Sequence, residues 1–226
     1  MTLIVHHLGV SQSERVVWLC EELGIKYELK KYERELMFAP PEFKNLHPLG
    51  SAPVIEDGRV KLAESAACVE YIAQVYGQGK FIIPPGHKNY ADYLYWFHFA
   101  NGSFQPAVGR QFAVKPVGER SSEVGRSSEI EQWFKKKLVA MLALIDDRLA
   151  HVPWLAGDDF TAADIMIVFS LTTMRCFAPY DLGDYKNILA YLQRVAARDA
   201  YRSAMVKGDP NLEIARLIAA APSPIY

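Results

Sequence analysis

Two short polar stretches carry the residue types best suited to chemistry, Ser11-Gln12-Ser13-Glu14-Arg15 and Glu64-Ser65. Each stands just before an apolar-periodic segment that reads as a helix. A helix start offers unpaired backbone amides and a partial positive charge, both favourable to an anion. Spacing alone also permits a purely structural role for both. Ser11-x-x-Glu14 is a capping box, and a Glu-Ser pair opening a helix is an ordinary cap.

The other candidate groups are poorer in signal. Cys20, Cys68 and Cys176 are odd in number and widely spaced, with no C-x-x-C pair. Neither a disulfide framework nor a zinc site is indicated, no metal is expected, and the usage fits a reducing, cytoplasmic setting. Cys20 and Cys68 read as small buried apolar residues. His98, alone on a helix, reads as structural.

The 226 residues, half of them apolar, are enough for two small domains. A formal net charge of -1 leaves no excess of positive charge for a nucleic-acid backbone or an anionic membrane surface. No stretch approaches the roughly 18 apolar residues of a membrane span, and no basic, apolar leader opens the chain.

These stretches need a scaffold, and its elements can be read in order. Residues 2–5 form a short buried strand, followed by a helix whose stripe is Val16, Leu19, Cys20 and Leu23, ended by Gly24. IKYELKKYERE reads as a second strand and PPEFKNL as a short helix. APVIEDGRVKLA reads as a hairpin turning at Asp57-Gly58, and a third helix carries Val69, Ile72 and Tyr76 on one face. After the Pro- and Gly-rich linker at 82–88 no strand is predicted. Ile130, Trp133, Phe134, Leu138, Met141, Leu142, Ile145 and Leu149 predict one long core-facing helix. The polar, Ser- and Gly-rich stretch 114–129 reads as a loop or frayed helix ends. In DFTAADIMIVFSL, Thr161 caps a helix with Asp164 as the reciprocal partner.

Several of these segments together carry a family likeness. NLHPLGSAPVIEDGRVKLAESAACVEYI, then FTAADIM and YLQRVAARDAYRSA, resemble the glutathione transferases, and the likeness spans nearly the whole chain. Within that family, HHLGVSQSERVVWLCEELG with the YERE and APPEFKNLHPLG continuation is similar to the fungal and bacterial enzymes of yeast type. The resemblance implies an α/β plus all-α chain: a thioredoxin-like glutathione-binding domain at 1–80, then a helical-bundle domain at 88–226 carrying the electrophile site.

It also implies a site. Pro53 matches the family's cis-proline, which would turn the backbone of Ala52 toward the cysteinyl part of glutathione. Glu64 and Ser65 match the pair that holds the γ-glutamyl end. The sulfur contact falls to a residue just after the first strand. Tyr27 comes too late and Cys20 lies on the apolar stripe, which leaves Ser11, whose spacing to Arg15 matches serine-type transferases, with Ser13 in reserve. Family members that supply a basic residue to the glycine carboxylate do so from a stretch that reads MFAPPEFKN here, with no His or Lys at that place; His47, Lys44 and Arg15 are the nearby substitutes.

The electrophile would lie between the domains, near Phe97, His98, Asn101, Phe104 and Phe112. The implied function is conjugation of glutathione, as co-substrate, to small hydrophobic electrophiles, with peroxidase activity toward organic hydroperoxides as an addition. A detoxifying homodimer is the implied assembly. The alternative is a non-catalytic glutathione-binding or regulatory protein on the same fold, since a fold does not itself grant activity.

Overall fold

A computed structural model of the chain describes residues 2–35, 37–114, 124–222 and 224–225. Its first part is a four-stranded mixed sheet in the order β2-β1-β3-β4, built from β1 (Leu3–Leu8), β2 (Tyr27–Tyr32), β3 (Val54–Asp57) and β4 (Val60–Ala63). β1 and β2 run parallel, joined through helix α1 (Glu14–Leu23). β3 is antiparallel to both β1 and β4, as a tight hairpin at Asp57-Gly58 requires. β2 is shorter than the sequence suggested: Glu35 instead bridges Phe38 in a local turn.

α1 ends at Gly24, whose positive φ of 64° lets its N–H return to the carbonyls of Cys20 and Glu21. The short α2 (Pro41–Lys44) covers one face of the sheet, with Phe43 packed among Leu8, Ala52, Val54 and Ala63. α1 and α3 (Ser65–Val75) belong to the main core.

Helices make up the rest. α4 (Tyr90–Phe99) runs through a π-helical turn at Ala100–Phe104 into α5 (Gln105–Val114), and α6 (Val124–His151) follows. Then come α7 (Ala162–Leu171), a 3-10 turn at Thr173–Cys176, α8 (Lys186–Ala196), α9 (Asp199–Gly208) and α10 (Ile214–Leu217). Most of the 114–129 stretch, 115–123, lies outside the described residues. On α6 the buried stripe is Leu138, Leu142, Ile145 and Leu149; the side chain of Ile130 is outside the described set. Trp133 was expected on that stripe and is exposed instead. At 3.6 residues per turn it shares a neighbouring face with Lys137, Ala140 and Leu144.

α7 starts with the expected capping box. Thr161 Oγ1 accepts from the N–H of Ala163, and Asp164 Oδ2 accepts from the N–H of Thr161 at 2.9 Å. Asp164 also accepts from the Leu155 amide and the Tyr191 hydroxyl, so one fully buried carboxylate ties three segments together.

The two parts share one core. Val5 and Ile55 from the sheet, Val16 to Cys20 from α1, and Ile165 to Phe169 from α7 belong to a single apolar cluster. α1 is packed by α3 on one side and by α7 and α9 on the other. It is therefore buried almost all round, and its first-turn Glu14 and Arg15 go inside with the rest.

Candidate active site

The loop after β1 is held in a strained shape from two directions. Val10 sits at φ 52°, a left-handed conformation that is an outlier for a β-branched side chain. Its N–H donates to Asp209 Oδ1 at 2.9 Å, and its carbonyl accepts from the Arg34 guanidinium at 3.2 Å. Arg34 also donates to the Gly9 carbonyl at 2.8 Å. This bracing presents the next residue, Ser11, at the rim of a cleft.

Ser11 and Glu14 do not form a reciprocal capping box: Ser11 Oγ accepts from the Ser13 N–H at 3.3 Å ahead of α1, and Glu14 does not return to it. Ser13 occupies the cap position of α1 without making a side-chain cap bond, which corrects the Ser11-x-x-Glu14 reading. Glu14 turns into the core, where its Oε2 accepts from the Thr173 hydroxyl at 2.5 Å. Burial, with a smaller push from Asp209, raises the Glu14 carboxyl to about 8. Ser11 Oγ donates to the Leu8 carbonyl at 2.6 Å and lies 2.7 Å from Ser13 Oγ. Ser13 Oγ accepts from the Leu8 N–H at 3.2 Å and lies 2.9 Å from His7 Nδ1.

Arg15 is completely buried. Its guanidinium donates to Gln12 Oε1, Ser65 Oγ, Asn101 Oδ1 and Gln105 Oε1, all at 2.8 to 2.9 Å, and lies over the ring of Phe169 at 5.1 Å. The π-helical turn delivers Asn101 to this junction, and Gln105 follows at its end. Burial pulls the guanidinium down to about 9, which leaves it charged at neutral pH. Its acceptors are neutral oxygens, and the adjacent carboxyl, Glu14, favours its neutral form. The cation is thus solvated by dipoles and not cancelled, and its potential reaches the starts of α1 and α3.

The Ala52-Pro53 bond is cis, as the sequence led one to expect, and the Ala52 carbonyl accepts from the Gln12 side-chain amide at 2.9 Å. Glu64, exposed, holds φ 69° just before α3, a conformation worth about 1–3 kcal/mol of strain for a non-glycine residue. Strain of this kind clusters where a side chain must be aimed. Ser65 is fully buried at the first position of α3, bonded to Arg15 and to the Asn101 amide at 3.0 Å.

The cleft in front of Ser11 encloses about 380 Å³, within the span of small-molecule sites. Its polar lining comes from Ser11, Gln12 and Gln105, with Arg34 and Lys44 as cations. Its apolar lining comes from Phe169, Met174 and Phe177 together with Met37 and Phe38. Such a division suits a ligand with one charged and one oily part.

The sequence-derived candidates divide in three. Ser11 and Ala52 line the cleft, together with Lys44, while Ser13, Arg15, Ser65 and Asn101 form the hydrogen-bonded layer beneath. His47 is not among the cleft-lining residues; its Nδ1 accepts from the Leu49 N–H at 3.4 Å, a contact within its own loop. Phe97 and Phe104 pack away from the cleft. Phe97 borders a separate cavity with Glu70 and Tyr93, and Phe104 is fully buried against Phe99 at 6.1 Å. The reason is that the aromatic residues of α4 and the π-helical turn fill the core shared with α7. The side chain of Phe112 lies outside the described residues. Reading the sequence missed Gln12, Gln105 and the Phe169, Met174, Phe177 wall. The last three sit in a run too uniformly apolar for periodicity to say which residues face a cavity. Burial pushes the Cys176 thiol up to about 11 and the Cys68 thiol up to about 12, and it raises that of Cys20 as well, so none of the three is poised as a thiolate.

Comparison with known proteins identifies the family. Residues 1–74 match the family "Glutathione S-transferase, N-terminal domain" and residues 119–194 match "Glutathione S-transferase, C-terminal domain". The chain is 32% identical over 220 residues to Glutathione S-transferase 3 of Schizosaccharomyces pombe, covering 92% of this chain and 89% of the relative. It is 26% identical to Glutathione S-transferase 1 of Saccharomyces cerevisiae, over 90% of this chain and 94% of that protein. A crystal structure of a glutathione S-transferase from Actinobacillus pleuropneumoniae superposes with a TM-score of 0.82 at 31% identity, covering 95% and 96% of the two chains.

Proposed function

The chain belongs to the glutathione S-transferase family, and from that premise we propose that it joins the glutathione thiolate to small apolar electrophiles. The carrying observation is the cleft itself, where Ser11 and the cis-proline backbone face an apolar wall of Phe169, Met174 and Phe177. In this reading the backbone of Ala52 pairs with the cysteinyl part of glutathione like an added strand. The amides opening α3 hold the γ-glutamyl carboxylate, with Ser65 bracing that helix start from beneath through Arg15 and Asn101, and Glu64 holds the ammonium. Lys44, which lines the cleft as Arg34 also does, is the cation for the glycine carboxylate. The electrophile rests on the apolar wall, in place of the Phe97, Asn101 and Phe104 region first expected.

Ser11 then favours the ionised sulfur. Lowering a thiol from ~8.5 to ~6.5 takes about 2.7 kcal/mol, within reach of a charge-assisted hydrogen bond plus helix-terminal potential. The same thiolate serves for reducing organic hydroperoxides. A cytoplasmic homodimer is part of the proposal; the exposed face of Trp133, Lys137, Ala140 and Leu144 is open to a second copy.

The test is retention on glutathione-agarose together with turnover of an aryl halide. We expect both, with turnover falling about tenfold or more at neutral pH in Ser11→Ala. Retention with no turnover of any aryl halide or hydroperoxide would leave a glutathione-binding protein and refute the catalytic reading.

A further inference from the structure

Behind Ser11 a continuous line of hydrogen bonds leads away from the cleft and ends on a carboxylate. Ser11 Oγ is 2.7 Å from Ser13 Oγ, which is 2.9 Å from His7 Nδ1; His7 Nε2 is 3.1 Å from Asp209 Oδ2. His7 is 1% exposed and Ser13 fully buried, while Asp209, 8% exposed, borders a cavity of about 280 Å³ with Gly9 and Glu33, so water meets the line only at its far end. The fit is close: a Cβ on Gly208 would come 3.0 Å from His7 Nε2.

Donor and acceptor roles follow from chemistry. An ionised carboxylate only accepts, so His7 Nε2 carries a hydrogen and, in the neutral ring, Nδ1 is an acceptor. Ser13 therefore donates to His7 and accepts the Leu8 N–H. The Ser11 proton points inward and alternates between Leu8 O at 2.6 Å and Ser13 Oγ at 2.7 Å, the line being continuous in the second orientation; one Ser11 lone pair accepts the Ser13 N–H at 3.3 Å and the other is left for a ligand. A hydroxyl so arranged receives a proton before it can stabilise a thiolate.

We propose that Ser11, Ser13, His7 and Asp209 form an internal acceptor for the proton of the bound glutathione thiol. The proposal rests on the transferase reading above and says where that proton goes. The S–H bond breaks and Ser11 Oγ gains the proton; the proton Ser11 held passes to Ser13 Oγ, and the one Ser13 held passes to His7 Nδ1. Three protons each move one place, the net transfer is one proton from sulfur to His7, and no electrons are exchanged. Both hydroxyls end neutral, the imidazolium faces the Asp209 carboxylate, and Ser11 O–H now points at the thiolate. Ser11 is the catalytic residue; Ser13, His7 and Asp209 are positioning residues acting through it.

Among the described residues, Glu33 and Arg34, which border a cavity with Asp209, are the charged groups at the far end of the line. β2 contributes its register partner Lys31, which is exposed. The segment after α9 contributes Asp209. Glu14 on α1, Tyr201 on α9 and Cys176 on the 3-10 turn each lie within electrostatic range of Asp209.

The experiment adds glutathione to the weakly buffered protein at about pH 6.5, below the ordinary thiol range near 8.5, and reads thiolate absorbance and proton release together. The expected result is thiolate without a matching proton in the medium. Asp209→Asn keeps an oxygen for the Val10 N–H, and Ser13→Ala cuts the line while leaving His7 and Asp209 paired. Each should lower kcat/KM by about ten- to a hundredfold at that pH, with the gap closing toward ~pH 9, where the thiol ionises unaided. Affinity for S-methylglutathione, which has no thiol proton, should stay unchanged in both. One proton released per thiolate formed in the parent protein overturns the internal acceptor while leaving the transferase reading intact. So does a rate loss equal at every pH in both variants. Glutathione bound with no thiolate at any pH overturns both readings.

Discussion

Glu14 decides whether the buried guanidinium beside it is neutralised, and its proton can be weighed through stability. Its carboxyl rises from 4.5 to about 8, burial being the first cause and the Asp209 charge adding to it, while the Thr173 hydroxyl and Arg15 pull the other way. Cys176 and Tyr201 are the further titratable groups within its electrostatic range. A native pKa above the unfolded one means that folding takes up a proton. The associated stability is fully present below about pH 4.5 and is lost as pH rises through about 8. Between about pH 5.5 and 7.5 the native state keeps most of its proton and the unfolded chain has released its own. At 1.36 kcal/mol per unit the loss over that window is about 2.5 kcal/mol.

Glu14→Gln keeps an oxygen for Thr173 and removes the titration. Urea unfolding at three pH values in this window, for parent and variant, isolates the effect. Asp164, raised to about 6 mainly by burial, contributes a slope of the same sign, but it is present in both proteins and cancels on subtraction. With a urea m-value of about 3 kcal/mol/M, the parent midpoint should fall by ~0.8 M more than that of Glu14→Gln. Parallel slopes would refute the reasoning: Glu14 would then be ionised in the native state, Arg15 neutralised, and the positive potential assigned to the α1 and α3 starts absent.

Two further expectations can be checked with the same preparations. Asp164→Ala leaves two backbone amides and two hydroxyls without their acceptor in a dry core, and should lower stability by about 3–5 kcal/mol in urea unfolding; a loss below about 1 kcal/mol would mean the site refills with other acceptors. Arg15→Lys cannot serve oxygens of four residues on four segments with a single ammonium; stability should fall by about 2–4 kcal/mol and the KM for glutathione should rise, so an unchanged KM would separate Arg15 from the ligand.

Much of the scaffold was legible because it is local. The Val16, Leu19, Cys20 and Leu23 stripe, the Asp57-Gly58 turn and the Thr161/Asp164 box each lie within one turn or two of chain. Pro53 and Ser65 were legible only through the family likeness, since an X-Pro pair and a Glu-Ser helix start have common structural uses. The opening polar cluster misled for a physical reason. S-x-x-E describes a helix whose start meets solvent, whereas α1 is covered by α7 and α9, and its first-turn polar groups find partners in Thr173, Ser65, Asn101 and Gln105 instead. His7 and Asp209 lie 202 residues apart, and no local pattern could have joined them.

The Val10 amide and the Asp209 carboxylate are 199 positions apart, which puts the loop bearing Ser11 under a timetable set by synthesis. At about 5–20 residues per second, residue 209 is made some 10–40 s after residue 10. Until it arrives, neither the Val10 amide in its strained conformation nor His7 Nε2 behind it has its carboxylate acceptor. The sheet can pair and α1 can wind while the rest is still being made, yet the nascent half has the residues of a thiol site without their arrangement. Competence comes in one late step, when the segment after α9 closes over the first strand, and a chain cut short before that segment should keep its sheet and lack its chemistry.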